Sequence, residues 1–215
     1  MKIIKDFVIN DKYSIKCPFE MTPEFIVIHN TSNDASAASE VAYMKRNDKP
    51  VSFHVAVDDA EIRQAIPFDR NAWHAGDGNS GNGNRCGIAI EICYSKSGGK
   101  RFEKAEKNAA EYVAYLLKNY GWGISRVKKH QDFSGKYCPH RTLDMGWDRF
   151  LRKVEFYMKT KFKDIEGHWA KNHIEKLYEY GIVNGTSGET FSPDRPITRA
   201  EAAVMIANVL TYLGK

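Results

Sequence analysis

The sequence predicts an α/β fold, a mixed β-sheet flanked by helices, followed by a small C-terminal helical module. Short apolar runs alternate with helical segments through residue 160, which is typical of a sheet layered with helices. Hydrophobic residues make up 42% of the 215 residues, enough to form a buried core. After residue 160 the pattern changes to helix, Gly-rich turn, short extended piece and helix. We therefore predict two domains, residues 1–158 and 161–215.

Hydrophobic periodicity predicts the elements of the first domain. FIVIHN is a continuous apolar run that ends in polar residues, as in a strand covered on both faces. VSFHVAV alternates with period two, and EIRQAIP follows closely enough to pair with it. The predicted strands are 25–30, 51–57, 61–67 and 87–94. The predicted helices are 36–47, 102–121 and 147–160. The Gly/Asn-rich segment 76–87 is predicted to be a loop that forms a cleft wall.

Charge and composition exclude several classes of protein. The net charge of +5 falls entirely within residues 1–160, which suggests attraction to a polyanion such as nucleic acid, a membrane surface or an anionic cell wall. No block of five Lys or Arg residues supports a nucleic-acid-binding tail. No run of about 18 apolar residues exists, so we expect no membrane insertion. The charged N-terminal segment is not typical of a secretory signal peptide.

Two polar side chains stand where the pattern demands apolar ones. His29 ends a buried strand, and Glu91 lies inside the apolar run IAIEICY. A buried carboxylate is costly unless it is paired or lies near a metal. Burial also raises the pKa of a carboxyl group, as a general base working near neutral pH requires. A salt bridge from Glu91 to a nearby Arg or Lys is the structural alternative.

A second group of reactive side chains lies in KKHQDFSGKYCPHR. His130, Lys136, Cys138 and His140 fall within eleven residues, and a Ser-Gly turn lets the chain fold back on itself. Imidazole and thiolate are zinc ligands, and three protein ligands with one open position are typical of a catalytic zinc site. His29 would supply the third ligand. Spacing alone leaves open the alternative that these are ordinary surface or core histidines.

Five separated motifs resemble the type 2 N-acetylmuramoyl-L-alanine amidases, which share the fold of peptidoglycan recognition proteins and T7 lysozyme. They are FIVIHNT, SFHVAVDD, NAWHAGDGN, IAIEICYSKSGG and KHQDFSGKYCPHR, in the expected order over roughly residues 1–158. The resemblance implies a zinc hydrolase that cuts the amide between the lactyl group of N-acetylmuramic acid and L-alanine. It is nearest to endolysins of Bacillus phages and prophages, with a host autolysin as the second source.

The same resemblance implies roles for individual residues. One Zn²⁺ ion would be held by His29, His130 and Cys138. Glu91 would act as general base, and Lys136 would stabilise the oxyanion. Trp73 and His74 of the AWHAG motif are predicted either to contact substrate in the cleft or to form a packed aromatic corner. The other imidazoles of these motifs, His54 and His140, are not assigned to the metal.

The C-terminal segment resembles one S-layer homology repeat. FKDIEGHWA, IEKLYEYGIVNG and FSPDRPITRAE carry the resemblance, which covers essentially all of 161–215. It implies binding to secondary cell-wall polysaccharide, with Arg199 as a donor to an acidic sugar. Trp169 is predicted to hold the small core rather than to stack on a sugar. One repeat stands where three are common, so the module could also need oligomerisation or only pack on the amidase.

Three other functions remain open from the sequence. The chain could bind peptidoglycan without cutting it, use Cys138 as the nucleophile of a cysteine peptidase, or serve as a structural wall-anchored protein. The presence of Cys138 in the full His/His/Cys/Glu/Lys set favours the zinc amidase. Its expected partners are peptidoglycan and, through the tail, wall polysaccharide, with no nucleic acid. We expect synthesis in the cytoplasm and action at the cell wall.

Overall fold

The computed structural model of the chain describes residues 2–158 and 162–214. The described residues form two compact units, divided between Val154 and Glu155. The predicted domain boundary falls on residues 159–161, which lie outside the described ranges, so it stays a prediction. No helix in the described ranges is both long enough and apolar enough to cross a membrane.

The first unit contains the strands and most of the helices. Its strands are β1 Lys2–Lys5, β2 Phe25–Asn30, β3 Val55–Val57, β4 Glu61–Gln64, β5 Gly87–Ile92 and β6 Val127–Lys129. Its helices are α1 Tyr13–Lys16, α2 Ala37–Arg46, α3 Asn82–Cys86, α4 Gly99–Tyr120, α5 Gln131–Ser134, α6 His140–Asp144 and α7 Trp147–Met158, the last of which runs into the second unit. Short 3₁₀ turns occupy Asn10–Lys12 and Ile124–Arg126.

The six strands form one mixed sheet in the order β1-β4-β3-β5-β2-β6. Only β3 and β4 are antiparallel, joined by a tight corner; the other neighbouring pairs are parallel. The central strands β2 and β5 consist almost wholly of buried residues, because helices pack against the sheet. The predicted α/β fold with a mixed sheet flanked by helices is confirmed.

A buried ion cluster joins the long helix α4 to α7. Glu106 is fully buried among the apolar residues of α4. Its two carboxylate oxygens accept hydrogen bonds from Arg149 Nη2 at 2.7 Å and Lys153 Nζ at 3.0 Å. The cluster therefore satisfies the charge of Glu106 without breaking the apolar face of α4.

Some predicted elements need correction. The strand predicted over 51–57 covers only Val55–Val57, because Ser52 bonds outside the sheet. The Ser52 hydroxyl donates to the Lys16 carbonyl, and its backbone N–H donates to the Trp73 carbonyl. Strands β1 and β6 were not predicted from the sequence, and the loop predicted over 76–87 ends in helix α3.

The second unit contains a 3₁₀ turn at Lys163–Ile165 and the helices α8 Lys171–Glu179 and α9 Arg199–Tyr212. The small core of this unit is formed by Phe162, Ile165 and Ile174. Trp169 is 84% exposed, so the prediction that it holds this core is wrong. Its ring contacts the neighbouring His168 instead.

Candidate metal centre

The sheet brings the two anomalous polar residues together. In the parallel pair β2 and β5, His29 lies directly opposite Glu91 near the carboxyl ends of both strands. His130 follows the end of β6, the other neighbour of β2. Ligands of open α/β sheets commonly bind at this edge, because neighbouring parallel strands deliver their following residues to one place.

The segment after β6 folds back on itself and brings Cys138 to the same edge. The N–H of His130 donates to the Ile28 carbonyl at 3.3 Å, and that of Gln131 donates to the Cys138 carbonyl at 3.0 Å. Gly135 makes the return turn possible with a φ of 74°. The chain therefore supplies His130 and Cys138 from the two arms of one short hairpin, as the Ser-Gly turn predicts.

Asn30 joins this hairpin to β2. Its side-chain carbonyl accepts from the backbone N–H groups of Arg141 and Thr142, at 2.9 and 3.2 Å. Its amide donates to the His29 carbonyl at 3.1 Å and to the Thr142 hydroxyl at 3.3 Å. Sequence analysis missed this role, although a buried Asn beside a ligand is a recognisable signal.

Three donor atoms converge to form a candidate metal centre. His29 Nδ1 lies 3.0 Å from His130 Nδ1 and 3.9 Å from Cys138 Sγ, and the three donors lie within 4.8 Å of one another. All three residues are buried. Two donors that each lie about 2.0–2.3 Å from one zinc ion are about 3–4 Å apart, so this set fits the ion.

The protonation of these residues also suits a metal. Burial and the neighbouring imidazoles lower the pKa of His29 well below its ordinary value, and burial lowers that of His130. Both rings are therefore neutral at pH 7 and can donate a lone pair. Burial and the charge of Glu91 raise the pKa of Cys138 to about 11. Metal binding must therefore release the thiol proton.

The AWHAG segment lies against the far side of both ligand rings. His29 Nε2 is 3.0 Å from His74 Nδ1, and a Cβ on Gly76 would lie 3.6 Å from His130 Nε2. Gly76 allows this close approach: with φ of 70°, a Cβ there would lie 3.1 Å from the Ser134 hydroxyl.

Glu91 faces the cleft as an unpaired carboxylate. Among the described residues, no group hydrogen-bonds to its buried Oε2. Burial, aided by the charge of Glu40, raises the pKa of Glu91 to about 8, while the Lys136 ammonium opposes this shift. The salt-bridge alternative therefore has no support in the described structure. Lys136 itself is exposed at the cleft.

One open cleft of about 760 Å³ is lined by the three candidate ligands, Glu91 and Lys136. Its wall includes both residues predicted to contact substrate, Trp73 and His74. The Trp73 indole N–H donates to the Ile15 carbonyl at 3.0 Å, so this N–H is not available to a ligand in the cleft.

Two further imidazoles, those of His54 and His140, bond away from the candidate metal site. They contact the carbonyls of Arg70 and Ser95, respectively. Their exclusion from the metal site agrees with the geometry.

Comparison with known proteins identifies the family. A family model described as N-acetylmuramoyl-L-alanine amidase matches residues 19–141, a range that includes the three candidate metal ligands, Glu91 and Lys136. The chain belongs to the N-acetylmuramoyl-L-alanine amidases. The predicted family and the prediction of an enzyme are both confirmed.

Relatives of this amidase cover both sequence and fold. It is 47% identical over 221 residues to N-acetylmuramoyl-L-alanine amidase CwlA of Bacillus subtilis (strain 168), covering 99% of this chain and 80% of CwlA. It is 58% identical over 202 residues to XlyB of the same organism, covering 90% of this chain and 64% of XlyB. The solved structure of PlyL matches with a TM-score of 0.70 and 55% identity, over 72% of this chain and 97% of PlyL.

The second unit of the amidase matches the S-layer homology domain over residues 161–203. It has a groove of about 620 Å³ between the turn at Asn184–Thr186 and helix α9. Arg199, the predicted sugar contact, is exposed in the first turn of α9 but does not line this groove. Arg195 does line it and pairs with Glu201. Sequence analysis did not single out Arg195.

Proposed function

We propose that this amidase uses one zinc ion to hydrolyse the amide between the lactyl group of N-acetylmuramic acid and L-alanine, and that this reaction lyses the bacterial cell wall. The family membership supports the substrate. The convergence of His29, His130 and Cys138 beside the unpaired Glu91 carries the proposal, because this donor set suits zinc and leaves a position open toward the cleft.

The chain's own residues provide the proton transfers. Zinc, when bound, supplies Lewis acidity that activates the attacking water and stabilises charge on the substrate carbonyl. In its ionised form Glu91 accepts the proton of that water, since its carboxyl group faces the cleft and its buried Oε2 has no competing partner in the described structure. A pKa of about 8 then lets Glu91 hold this proton and return it to the departing alanine amine.

Lys136 contributes a second positive charge. Its exposed ammonium lies at the cleft, close enough to lower the pKa of His29, His130 and Glu91. The same field favours negative charge that develops on the scissile carbonyl. Lys136 therefore stabilises the transition state rather than the ground state of the neutral amide.

The second unit supports action at the wall. Its match to the S-layer homology domain suggests attachment to wall polysaccharide, with Arg199 contacting an acidic sugar. Such attachment would hold the catalytic unit near peptidoglycan, as an endolysin or an autolysin requires.

One experiment tests the reaction and its metal together. Purified protein is incubated with peptidoglycan, and new N-terminal alanine amines are followed before chelation, after chelation and after zinc return. We expect the new amines to disappear on chelation and to reappear with zinc. Wall binding without new amines by a zinc-loaded protein would instead indicate a recognition module. Activity that survives complete metal removal would indicate Cys138 as nucleophile.

A further inference from the structure

The imidazole of His74 contacts a candidate metal ligand at hydrogen-bond distance. Its Nδ1 contacts His29 Nε2 at 3.0 Å. Its Nε2 is buried and, among the described residues, has no hydrogen-bond partner. His74 also lines the cleft. Its contacts therefore point toward the metal centre.

The contact with His29 determines which nitrogen of His29 carries the proton. His29 aims Nδ1 at His130 and Cys138, so this nitrogen must be unprotonated to bind a metal. A neutral imidazole then carries its proton on Nε2, where His74 Nδ1 can accept it. Such contacts to the other nitrogen of a ligand histidine fix its tautomer and ring orientation.

The backbone around His74 is held by its own hydrogen bonds. The N–H groups of His74 and Ala75 both donate to the Asn84 side-chain carbonyl at 2.8 Å. The Asn84 amide donates to the Gly78 carbonyl at 3.0 Å, and the Asp77 carboxylate accepts from the N–H of Gly83 at 2.6 Å. His74 is therefore a fixed acceptor that needs no rearrangement when metal binds.

We propose that His74 is a positioning residue that holds His29 in the Nε2-protonated form, with Nδ1 directed at the metal. This inference rests on the proposed function, because it takes His29 as a zinc ligand. The segment that carries His74 also lies beside the second ligand ring, since a Cβ on Gly76 would lie 3.6 Å from His130 Nε2.

Zinc affinity of the full chain tests this role. Wild type, His74→Leu and His74→Asn are stripped of metal, and their zinc dissociation constants are measured by competition with a chromogenic chelator. We expect His74→Leu to bind zinc about 10- to 100-fold more weakly, as is typical for loss of such a contact. His74→Asn should stay within about threefold of wild type, because its amide oxygen and the lost Nδ1 are both bonded to Cγ.

His54→Leu is the matched control. His54 is another buried imidazole of the same unit, but it bonds to the Arg70 carbonyl and the Ala89 N–H rather than to a metal ligand. Its loss should lower the melting temperature without changing zinc affinity. The inference is overturned if His74→Leu binds zinc as tightly as wild type, or if His74→Asn is as weak as His74→Leu.

A measurement on the unaltered protein keeps the test decisive where a variant fails to fold. Nitrogen-15 NMR of histidine-labelled wild type reports which ring nitrogens are protonated. We expect His29 to carry its proton on Nε2 and His74 Nδ1 to carry none; the opposite assignment would refute the positioning role. A wild-type chain that folds but binds no zinc would refute the metal site itself, and this inference with it.

Discussion

Stability and the proposed catalysis place opposing demands on Glu91. In the metal-free chain its pKa is about 8 against an ordinary 4.5, because burial disfavours the charge. The unfolded chain therefore releases this proton at lower pH than the folded chain does. Between these two values, stability falls as the pH rises, and above pH 8 the full loss is present. The carboxyl group that suits catalysis weakens the fold at neutral pH.

Replacing Glu91 by Gln should separate these effects. We expect turnover to fall at least 10²-fold, because the proton acceptor is lost. The metal-free Glu91→Gln protein should be more stable than wild type by about 2–4 kcal/mol at pH 8, and the gain should vanish near pH 4.5. Denaturant unfolding of chelated samples at several pH values measures the gain. Near-full activity would contradict the assigned role, and a gain independent of pH would contradict the electrostatic cause.

In the proposed mechanism Lys136 acts through its charge, so its loss should affect the rate more than metal binding. We expect Lys136→Ala to lower kcat about 10- to 100-fold, less than for a buried oxyanion donor because the side chain is exposed. Zinc affinity should not weaken, since a cation beside the ligands disappears. Lys136→Arg should recover part of the rate. Lys100→Ala, which removes an exposed lysine of α4, is the control. Loss of zinc affinity in Lys136→Ala would indicate a structural role instead.

The ion cluster between α4 and α7 makes a prediction about the contact of two elements. Glu106→Gln keeps the shape of the side chain but leaves Arg149 and Lys153 without an anionic partner. We expect a loss of about 2–4 kcal/mol in the free energy of unfolding, because one partner of a buried ion pair is removed. Glu103→Gln, at an exposed position of the same helix, should change stability by less than about 0.5 kcal/mol. Equal effects in urea unfolding would contradict the importance of the cluster.

The elements that the sequence predicts best are those with long or strongly patterned apolar runs. The strand predicted over 25–30 has the same bounds in the structure, and the helix predicted over 36–47 spans Ala37–Arg46. In both segments the composition and the residues at the ends indicate the same bounds. Strands β1 and β6 have only four and three residues, too few for a periodic signal, and depend on neighbours already in place. The sequence does not single out Glu106 as buried, because α4 carries many charged residues and no local pattern indicates which of them points into the core.

The sequence indicates the candidate site through polar side chains that lie within apolar strands. His29 and Glu91 attract attention as polar residues in apolar strands, and the structure places them opposite each other. The contacts of Asn30 and His74 depend on residues more than forty positions away in sequence, so no local pattern indicates them. Sequence reasoning therefore reaches the ligands, but their supporting contacts require the fold.

At the scale of the whole molecule, the proposed catalysis and the proposed wall attachment belong to separate units, so they should respond to different substitutions. We expect Arg199→Gln to reduce sedimentation of the full chain with cell walls that carry their polysaccharide, and to leave cleavage of stripped peptidoglycan unchanged. Lys163→Gln, which removes an exposed cation of the same unit, should bind as wild type. Equal binding by wild type and Arg199→Gln would assign the sugar contact elsewhere, with Arg195 of the groove as the next residue to test.

The direct pairing of His29 with Glu91 also limits how the gene can change in length. Side chains alternate along a strand, so losing one codon within β2 ahead of His29 would turn its imidazole to the opposite face. Losing two codons would restore the face but displace the ring by about 7 Å. Insertions and deletions should therefore persist only in connecting segments, whereas apolar exchanges within β2 and β5 should be common. Evolution can therefore change the residue types of these strands more freely than it can change their number of residues.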